Sequence, residues 1–527
     1  MVQNIIHASD KTDEMSTAFK LAMSSTDPAS ARTWNGAASH ASSGEALTDL
    51  FFKSARGLDR ERYSELLAAA WRCDALLTLR MIAYIRHIKG GKGERQLGRW
   101  ALSWLARRSP GDLVHNLHHY VATFGRWDDL VDLIIHPAIA DRVLATVAAQ
   151  LRKDDEALKK EDDDDDDDNN ISLCAKWVPS EGKRNNEFNR RLARHMRLTH
   201  KELRQLLTRL RKRIDLLETH LSDKTLDQVD YSKVPSVAMH RHSKPDKAFL
   251  RLDEERFKAW RESLKTGETK VNAGALFPHQ VVESYIKGGG ADPVTEAQWA
   301  SVRERLTPTQ REHLKGCLVL SDVSTSMMSG NPQPILVSIA LGLLISEMNP
   351  SEAFRNQVLT FSTNPEFHLV TGSTLLERVR SLSSASWGGS TDFQKCFRLI
   401  LDKARQFSLR PEEMPTTLIV ISDMQFNIAD RRILAEGGDG ERTNFQAMSE
   451  EFRAAGYTMP KLVFWNVNGS TSDFPTPASQ ANVALISGFS VEILNDVFSG
   501  EDITPFRVMM RTLSRPEYAV IERGPPL

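Results

Sequence analysis

Asp322, Ser324 and Ser326 stand at alternate positions directly after the apolar run Cys317–Leu320. Alternate side chains on an extended segment point the same way, so a carboxylate and two hydroxyls converge at the carboxyl end of a predicted buried strand. In open α/β sheets that end is where ligands bind. An all-oxygen donor set suits a hard cation, Mg2+ or Mn2+, better than zinc. Ser and Asp are also ordinary turn formers, so the triplet alone is a weak signal. Two further loops reinforce it. Thr391 supplies a hydroxyl within the Gly-Ser turn SWGGSTDF, residues 386–393, and a second apolar run, Thr417–Ile421, ends in Ser422, Asp423 and Met424.

Two hydroxyls with a carboxylate, one hydroxyl, and one carboxylate, spread over three loops, resemble a von Willebrand factor A (vWA) domain with a metal-ion-dependent adhesion site. The resemblance implies Mg2+ (or Mn2+) on Ser324, Ser326 and Thr391, with Asp322 and Asp423 in contact directly or through water. It also implies a protein partner whose Asp or Glu completes the coordination of the cation.

A chain of 527 residues can hold two to four domains and a large core. Its 68 Lys and Arg nearly balance 69 Asp and Glu, but the charges are locally segregated. The four cysteines, Cys73, Cys174, Cys317 and Cys396, are scattered without a C-x-x-C pair. That argues against a disulfide framework or a zinc knuckle and fits a reducing, cytoplasmic setting. The first residues lack the basic-then-apolar pattern of a secretory signal, and no apolar run reaches membrane-spanning length.

From Gly316 onward, strand-length apolar runs alternate with helical spacing. Predicted strands are 318–321, 357–361, 418–421, 461–466 and 484–487. Predicted helices are 334–348, 374–381, 392–405, 444–455 and 498–513. This alternation argues for a mostly parallel, doubly wound α/β sheet of Rossmann-like type with helices on both faces. The preceding sequence is all-α in spacing, with helical patterns at 46–52, 63–88, 96–107, 112–124, 127–136 and 137–152. Successive helices with short polar links suggest an irregular helical-repeat array of the HEAT kind. The expected division is therefore a flexible N-terminus at 1–33, a helical-repeat module at 34–306, and an α/β domain at 307–527. The run at 154–170, DDEALKKEDDDDDDDNN, can bury nothing and reads as a disordered acidic insertion.

Two basic features are candidates for a polyanion. RHIKGGKGER (86–95) lacks the spacing and the preceding strand of a nucleotide-binding P-loop. Its Lys89, Lys92 and Arg95, with Arg126 of FGRWDD (124–129), can still meet a phosphate chain, or the two stretches are plain helix connections. Residues 183–213 carry twelve Lys and Arg against two acids. Leu192, His195, Met196, Leu203, Leu206, Leu207 and Leu210 give this segment an apolar face, while Arg190, Arg194, Arg197, Lys201, Arg204 and Arg211 largely fall elsewhere. Such a segment can bind a nucleic-acid backbone, lie on a membrane surface, or be a solvated bundle helix. His115, His118 and His119 lack an acidic or cysteine partner at ligand spacing.

SDVSTSM, TFSTNPEFH, WGGSTDFQ, ISDMQFN, GYTMPKLVFWNVN and LISGFS, in that order, resemble the C-terminal half of the family known as domain of unknown function 2828. NGAASHASSGEALTDLFF, IRHIKGGKGER, FGRWDDL, LCAKWVPS and YSKVPSVAMHRH resemble its N-terminal half. That architecture is similar to the Ro autoantigen (TROVE) proteins, in which a helical ring binds small structured RNAs. The resemblance implies a binding protein: RNA on the helical module, Mg2+ and a protein partner on the vWA domain, no membrane. The alternative is a metal-dependent protein scaffold without nucleic acid. A third reading, a metal-assisted phosphoester hydrolase, has only His368 as a candidate base, and the chain is read as a non-enzyme.

Overall fold

The computed structural model describes residues 30–32, 38–161, 171–179, 186–274, 276–322, 325–328, 330, 333–360, 365–385, 393–424, 444–470, 474–497 and 503–527. The chain forms two compact units, each assembled from separated stretches. One comprises Met1–Thr78, Phe277–Ala291 and Arg303–Arg515; the other comprises Leu79–Leu276, Asp292–Val302 and Pro516–Leu527. Folding thus departs from the linear division of the sequence in two places. The N-terminal stretch clusters with the sheet, and the last residues cluster with the helices.

The first unit contains a short antiparallel pair, β1 (Ser30–Arg32) and β2 (Ala38–His40), and a six-stranded sheet. The sheet strands are β3 (Cys317–Ser321), β4 (Gln357–Thr360), β5 (Phe367–Leu369), β6 (Thr417–Ser422), β7 (Lys461–Asn466) and β8 (Val483–Ser487). Their order is β5-β4-β3-β6-β7-β8. All neighbouring pairs are parallel except β4 with β5. The antiparallel edge strand β5 is the element that apolar-run reading missed, because an edge strand of three partly exposed residues carries no such run.

The parallel strands are almost wholly apolar because both faces are covered. Leu318, Leu320, Leu418, Val420, Leu462 and Phe464 join Phe397, Ile400 and Phe452 of helices Phe393–Gln406 and Asn444–Ala454 in one buried cluster. Helix Pro334–Met348 packs against β3, β4 and β6, and also against helices Pro278–Ile286 and Leu375–Ser383. A helix enclosed on several sides must be apolar all round, and this one buries every residue from Leu336 to Ser346. Gly342 permits the close approach: a Cβ there would lie 2.6 Å from Ser321 Oγ.

The second unit is helical. The long helix Pro137–Glu161 packs against helix Pro110–His118, the 3-10 segment Trp127–Ile135, and helices Asn186–Met196 and His200–Arg213. One helix therefore serves as a hub, whereas a repeat array passes contacts only between neighbours. A second core gathers Tyr231, Met239, Phe249 and Phe257, with Tyr231 edge-on to both Phe249 (5.0 Å) and Phe257 (4.9 Å).

Capping explains where the predicted helices differ. The 63–88 pattern breaks at Asp74, which is extended and accepts a 2.8 Å bond from Leu77 N, closing one helix and opening the next. The basic segment is two helices: Arg197 takes a left-handed φ of 60°, and Thr199 and Glu202 form a capping box. The last helix begins only at Pro505, behind the Thr504 cap.

The C-terminal tail is tied to helix Pro110–His118. Asp112 Oδ1 accepts from Arg523 Nε (3.0 Å) and Gly524 N (2.7 Å). Asn116 exchanges two bonds with the backbone of Glu522.

Candidate functional site

The connection from β3 leads to β4 on one side, and the return leads to β6 on the other. The gap between β3 and β6 is therefore the topological switch point, where open α/β sheets form a crevice at the carboxyl ends of their strands. Asp322 directly follows β3 and Asp423 directly follows β6. Both are buried, at 1% and 0% exposure. The parallel register pairs Ser321 with Ile421, and Asp322 N donates to Ile421 O at 2.9 Å. Continuing that register sets Asp322 across from Ser422, with Asp423 one residue further along the neighbouring chain.

Ser422 organises this end. Its Oγ accepts from Met424 N at 3.0 Å and donates to Asp322 Oδ2 at 2.6 Å. Met424 is buried with a left-handed φ of 65°, a conformation that costs a non-glycine residue about 1–3 kcal/mol. The tight turn behind Asp423 is therefore held against a local penalty.

A row of polar residues extends across the sheet at this level. Ser321, Thr360, Ser422, Asn466 and Ser487 each end one of the five parallel strands, and all are fully buried. Register places Ser422 beside Asn466 and Asn466 beside Ser487. Asn466 Oδ1 accepts from Asn468 N at 2.8 Å, while its Nδ2 makes no hydrogen bond among the described residues. Sequence reading missed this row, although its signal is plain: LVLS, VLT, IVIS, VFWN and ALIS are apolar runs that each stop on a small polar residue.

Of the five predicted cation ligands, Asp322 and Asp423 are buried and directly follow two neighbouring parallel strands. Ser326 is half-buried in the turn Thr325–Met328 that follows. Ser324 and Thr391 lie outside the described residues. Buried carboxylates beside a hydroxyl are oxygen ligands of the kind a hard cation takes, while the Asn466 amide can only donate a hydrogen bond. Among the described residues no group of three His, Cys, Asp or Glu is placed to hold a metal. His368, the candidate base, sits on the edge strand β5 with Nε2 3.3 Å from Ser381 Oγ.

The predicted polyanion residues divide. Arg190, Arg194, Arg197, Lys201 and Arg204 are exposed, while Leu192, Met196, Leu203, Leu206, Leu207 and Leu210 are buried. His195 is exposed and does not belong to that apolar face. Lys89 is exposed. Lys92 is a correction: it has no exposed surface and cannot present its charge to a phosphate chain. Burial pulls its pKa down to about 7, with Glu94 opposing. The loop's backbone is also committed. Lys92 N, Gly93 N and Glu94 N donate to Tyr84 O, His87 O and Ile85 O, closing helix Ala75–Arg86. Gly91 is required there, since a Cβ would meet Tyr84 O at 2.1 Å.

The two Gly-rich motifs fold onto each other. Asp129, fully buried, accepts from Arg86 Nε (2.8 Å), Arg99 Nε (2.9 Å) and Arg126 N (3.0 Å). Asp128 pairs with Arg95 and Arg99. Burial works against the Arg99 charge, but Asp129 and Asp128 together hold its pKa above the ordinary range. Arg126 lies 4.4 Å from the centre of the Trp177 ring.

All four cysteines are free thiols. Among the described residues no helix is long and apolar enough to cross a membrane.

A family model described as domain of unknown function 2828 matches residues 33–143 and 181–313. It leaves out 144–180, which contains the acidic run and LCAKWVPS. The C-terminal motifs fall under a separate model, domain of unknown function 7788, over residues 316–508. An uncharacterized protein of Acanthamoeba polyphaga mimivirus is 30% identical over 510 residues, covering 91% of this chain and 86% of that protein. The crystal structure of the Deinococcus radiodurans Ro (RSR) protein aligns at 16% identity with a TM-score of 0.33, covering 90% of this chain and 99% of that chain. At that score the likeness carries no argument.

Proposed function

Since the chain belongs to the family of domain of unknown function 2828, whose name assigns no activity, we propose a function from its own residues: a two-part binding protein. Its sheet unit acts as a vWA-type domain that holds Mg2+ or Mn2+ and engages a partner's carboxylate. Its helical unit holds RNA by the phosphate backbone.

The observation that carries this reading is the pair Asp322 and Asp423, two buried carboxylates at the switch point of a parallel sheet. Like charges buried together are costly unless a cation neutralises them. Asp322 and Asp423 would hold that cation, Ser326 would add a hydroxyl, and Ser324 and Thr391 are proposed to complete the set. The cation would supply an open coordination position for an acidic partner. Ser422 keeps Asp322 oriented, and Asn466 offers an amide donor beside it.

For the helical unit, support comes from five exposed cations, four on two successive helices whose apolar faces are spent on packing and Arg197 in the turn between them. Backbone contacts of that kind give salt-dependent, weakly sequence-specific affinity. A protein-only scaffold is the second reading. It is favoured by Arg190–Glu187 (4.0 Å) and Arg209–Asp155 (2.7 Å), which are ordinary surface pairings. No turnover is proposed, and the setting proposed is cytoplasmic.

The test is recovery of RNA with the purified protein at moderate salt, beside an Asp322→Ala/Asp423→Ala variant. Enriched small structured RNA in both samples supports RNA binding by the helical unit and a separate task for the cation site. RNA at background level in both leaves the cation-dependent scaffold.

A further inference from the structure

We propose that Arg95 and Arg126, which flank Asp128, and Lys176, beside Trp177, form a binding site for a single phosphate group. The site goes beyond the backbone-binding helices, and only its RNA arm rests on the function proposed above.

The charges around Asp128 and Asp129 do not balance. Four guanidiniums, of Arg86, Arg95, Arg99 and Arg126, surround these two carboxylates. Asp132 touches only Arg99, at 3.9 Å, and is largely exposed. Asp129 is already saturated by Arg86, Arg99 and the Arg126 backbone. Arg126 is the residue left short. Its Nε lies 3.4 Å from Asp128 Oδ1, too poorly aligned for a hydrogen bond. Burial, joined by the nearby Arg95 and Arg86 charges, pulls its pKa below the usual guanidinium range although Asp128 opposes them. A guanidinium keeps its proton regardless, so the strain is relieved by an incoming anion.

The geometry leaves room for that anion to arrive. The Arg95 side chain is half exposed and that of Arg126 is 30% exposed. Trp177 holds Arg126 by its ring, and the Lys176 ammonium stands 5.6 Å from the same ring. Lys176's ionic contact, Glu218 at 3.6 Å, is exposed and can yield. Two guanidinium forks and an ammonium match the charge and the three terminal oxygens of a phosphate monoester better than a carboxylate. The site also gives LCAKWVPS a role beyond packing, by bringing Lys176 and Trp177 to Arg126 of FGRWDDL.

Two sources carry this chemistry, a free nucleotide and the 5′ end of an RNA. The full chain is titrated by calorimetry with inorganic phosphate, adenosine 5′-monophosphate and adenosine. A short RNA with a 5′-phosphate is compared with the same RNA ending in a 5′-hydroxyl. Phosphate and the monophosphate bind while adenosine does not, and Arg95→Gln and Arg126→Gln each weaken binding about tenfold. Preference for the 5′-phosphate RNA identifies an RNA end as the ligand. Binding of the monophosphate without either RNA upholds the site while the RNA function falls. Equal binding of both RNAs, with neither phosphate nor monophosphate bound, overturns the site and leaves the RNA function standing. Where Arg126→Gln fails to fold, Arg126→Lys keeps the charge without the fork; unchanged phosphate affinity in both Arg126→Lys and Arg95→Gln overturns the proposal.

Discussion

Ser422 Oγ and Asp322 Oδ2 are joined by a 2.6 Å hydrogen bond between the ends of two neighbouring parallel strands. Ser422 donates its proton to Asp322 and its oxygen accepts from Met424 N, so one hydroxyl ties the carboxylate to the turn after β6. That polarity suits an ionised carboxylate beside a cation.

If Asp322 and Asp423 hold the proposed cation, removing it leaves two buried carboxylates without their counter-ion. Asp423→Asn is therefore expected to raise the melting temperature in chelator and to abolish the rise that Mg2+ or Mn2+ gives the native chain. A cation at about 100 times its Kd stabilises by about 2.7 kcal/mol. Thermal melts with and without chelator read both effects. A variant that is destabilised in chelator yet keeps a full metal response argues against this site.

The exposed cations of the two basic helices are expected to act through counterion release. Charge reversal at Arg190, Arg194 and Arg197 should weaken RNA binding and flatten its salt dependence by about one unit of slope per lost phosphate contact. Filter binding across a salt series measures the slope. An unchanged slope assigns these residues to a solvated helix face.

Lys92 is buried with a pKa near 7, below its ordinary value. Between the folded and unfolded values the unfolded chain binds more protons, so this group makes stability rise with pH from about 7 toward 10, by at most about 1.4 kcal/mol per unit. Below pH 7 its full desolvation cost is felt. Lys92→Met should therefore be more stable than the native chain at pH 6, with the gap narrowing as pH rises. Chemical unfolding at several pH values checks the trend, and a constant gap would refute it.

Arg86 and Asp129 form a buried pair at 2.8 Å, with side chains 3% and 0% exposed. Asp129→Ala strands Arg86 and is expected to destabilise by about 3–5 kcal/mol, the usual cost of breaking such a pair on one side. Arg86→Met/Asp129→Leu should recover part of that loss. Denaturant unfolding of the three chains gives the comparison.

The sequence by itself determined the α/β alternation, since doubly covered strands must be continuous apolar runs, and it located Asp322 and Asp423 at strand ends. It also contained the capping residues Thr199, Glu202 and Thr504, which mark where helices begin. Only the tertiary structure decided the strand order, and with it that β3 and β6 flank the switch point, because order depends on which apolar faces meet. It decided that Lys92 is buried while Lys89 is exposed. Both stand in one Gly-rich loop of uniform composition, and only the packing of the chain around that loop separates them. It decided too that Arg126 meets Trp177 across fifty residues of chain, a contact no local spacing encodes. The tail at 516–527 reads as a continuation of the sheet domain. Its bonds to Asp112 and Asn116 place it with the helices, because partners of buried polar groups are chosen by position in space.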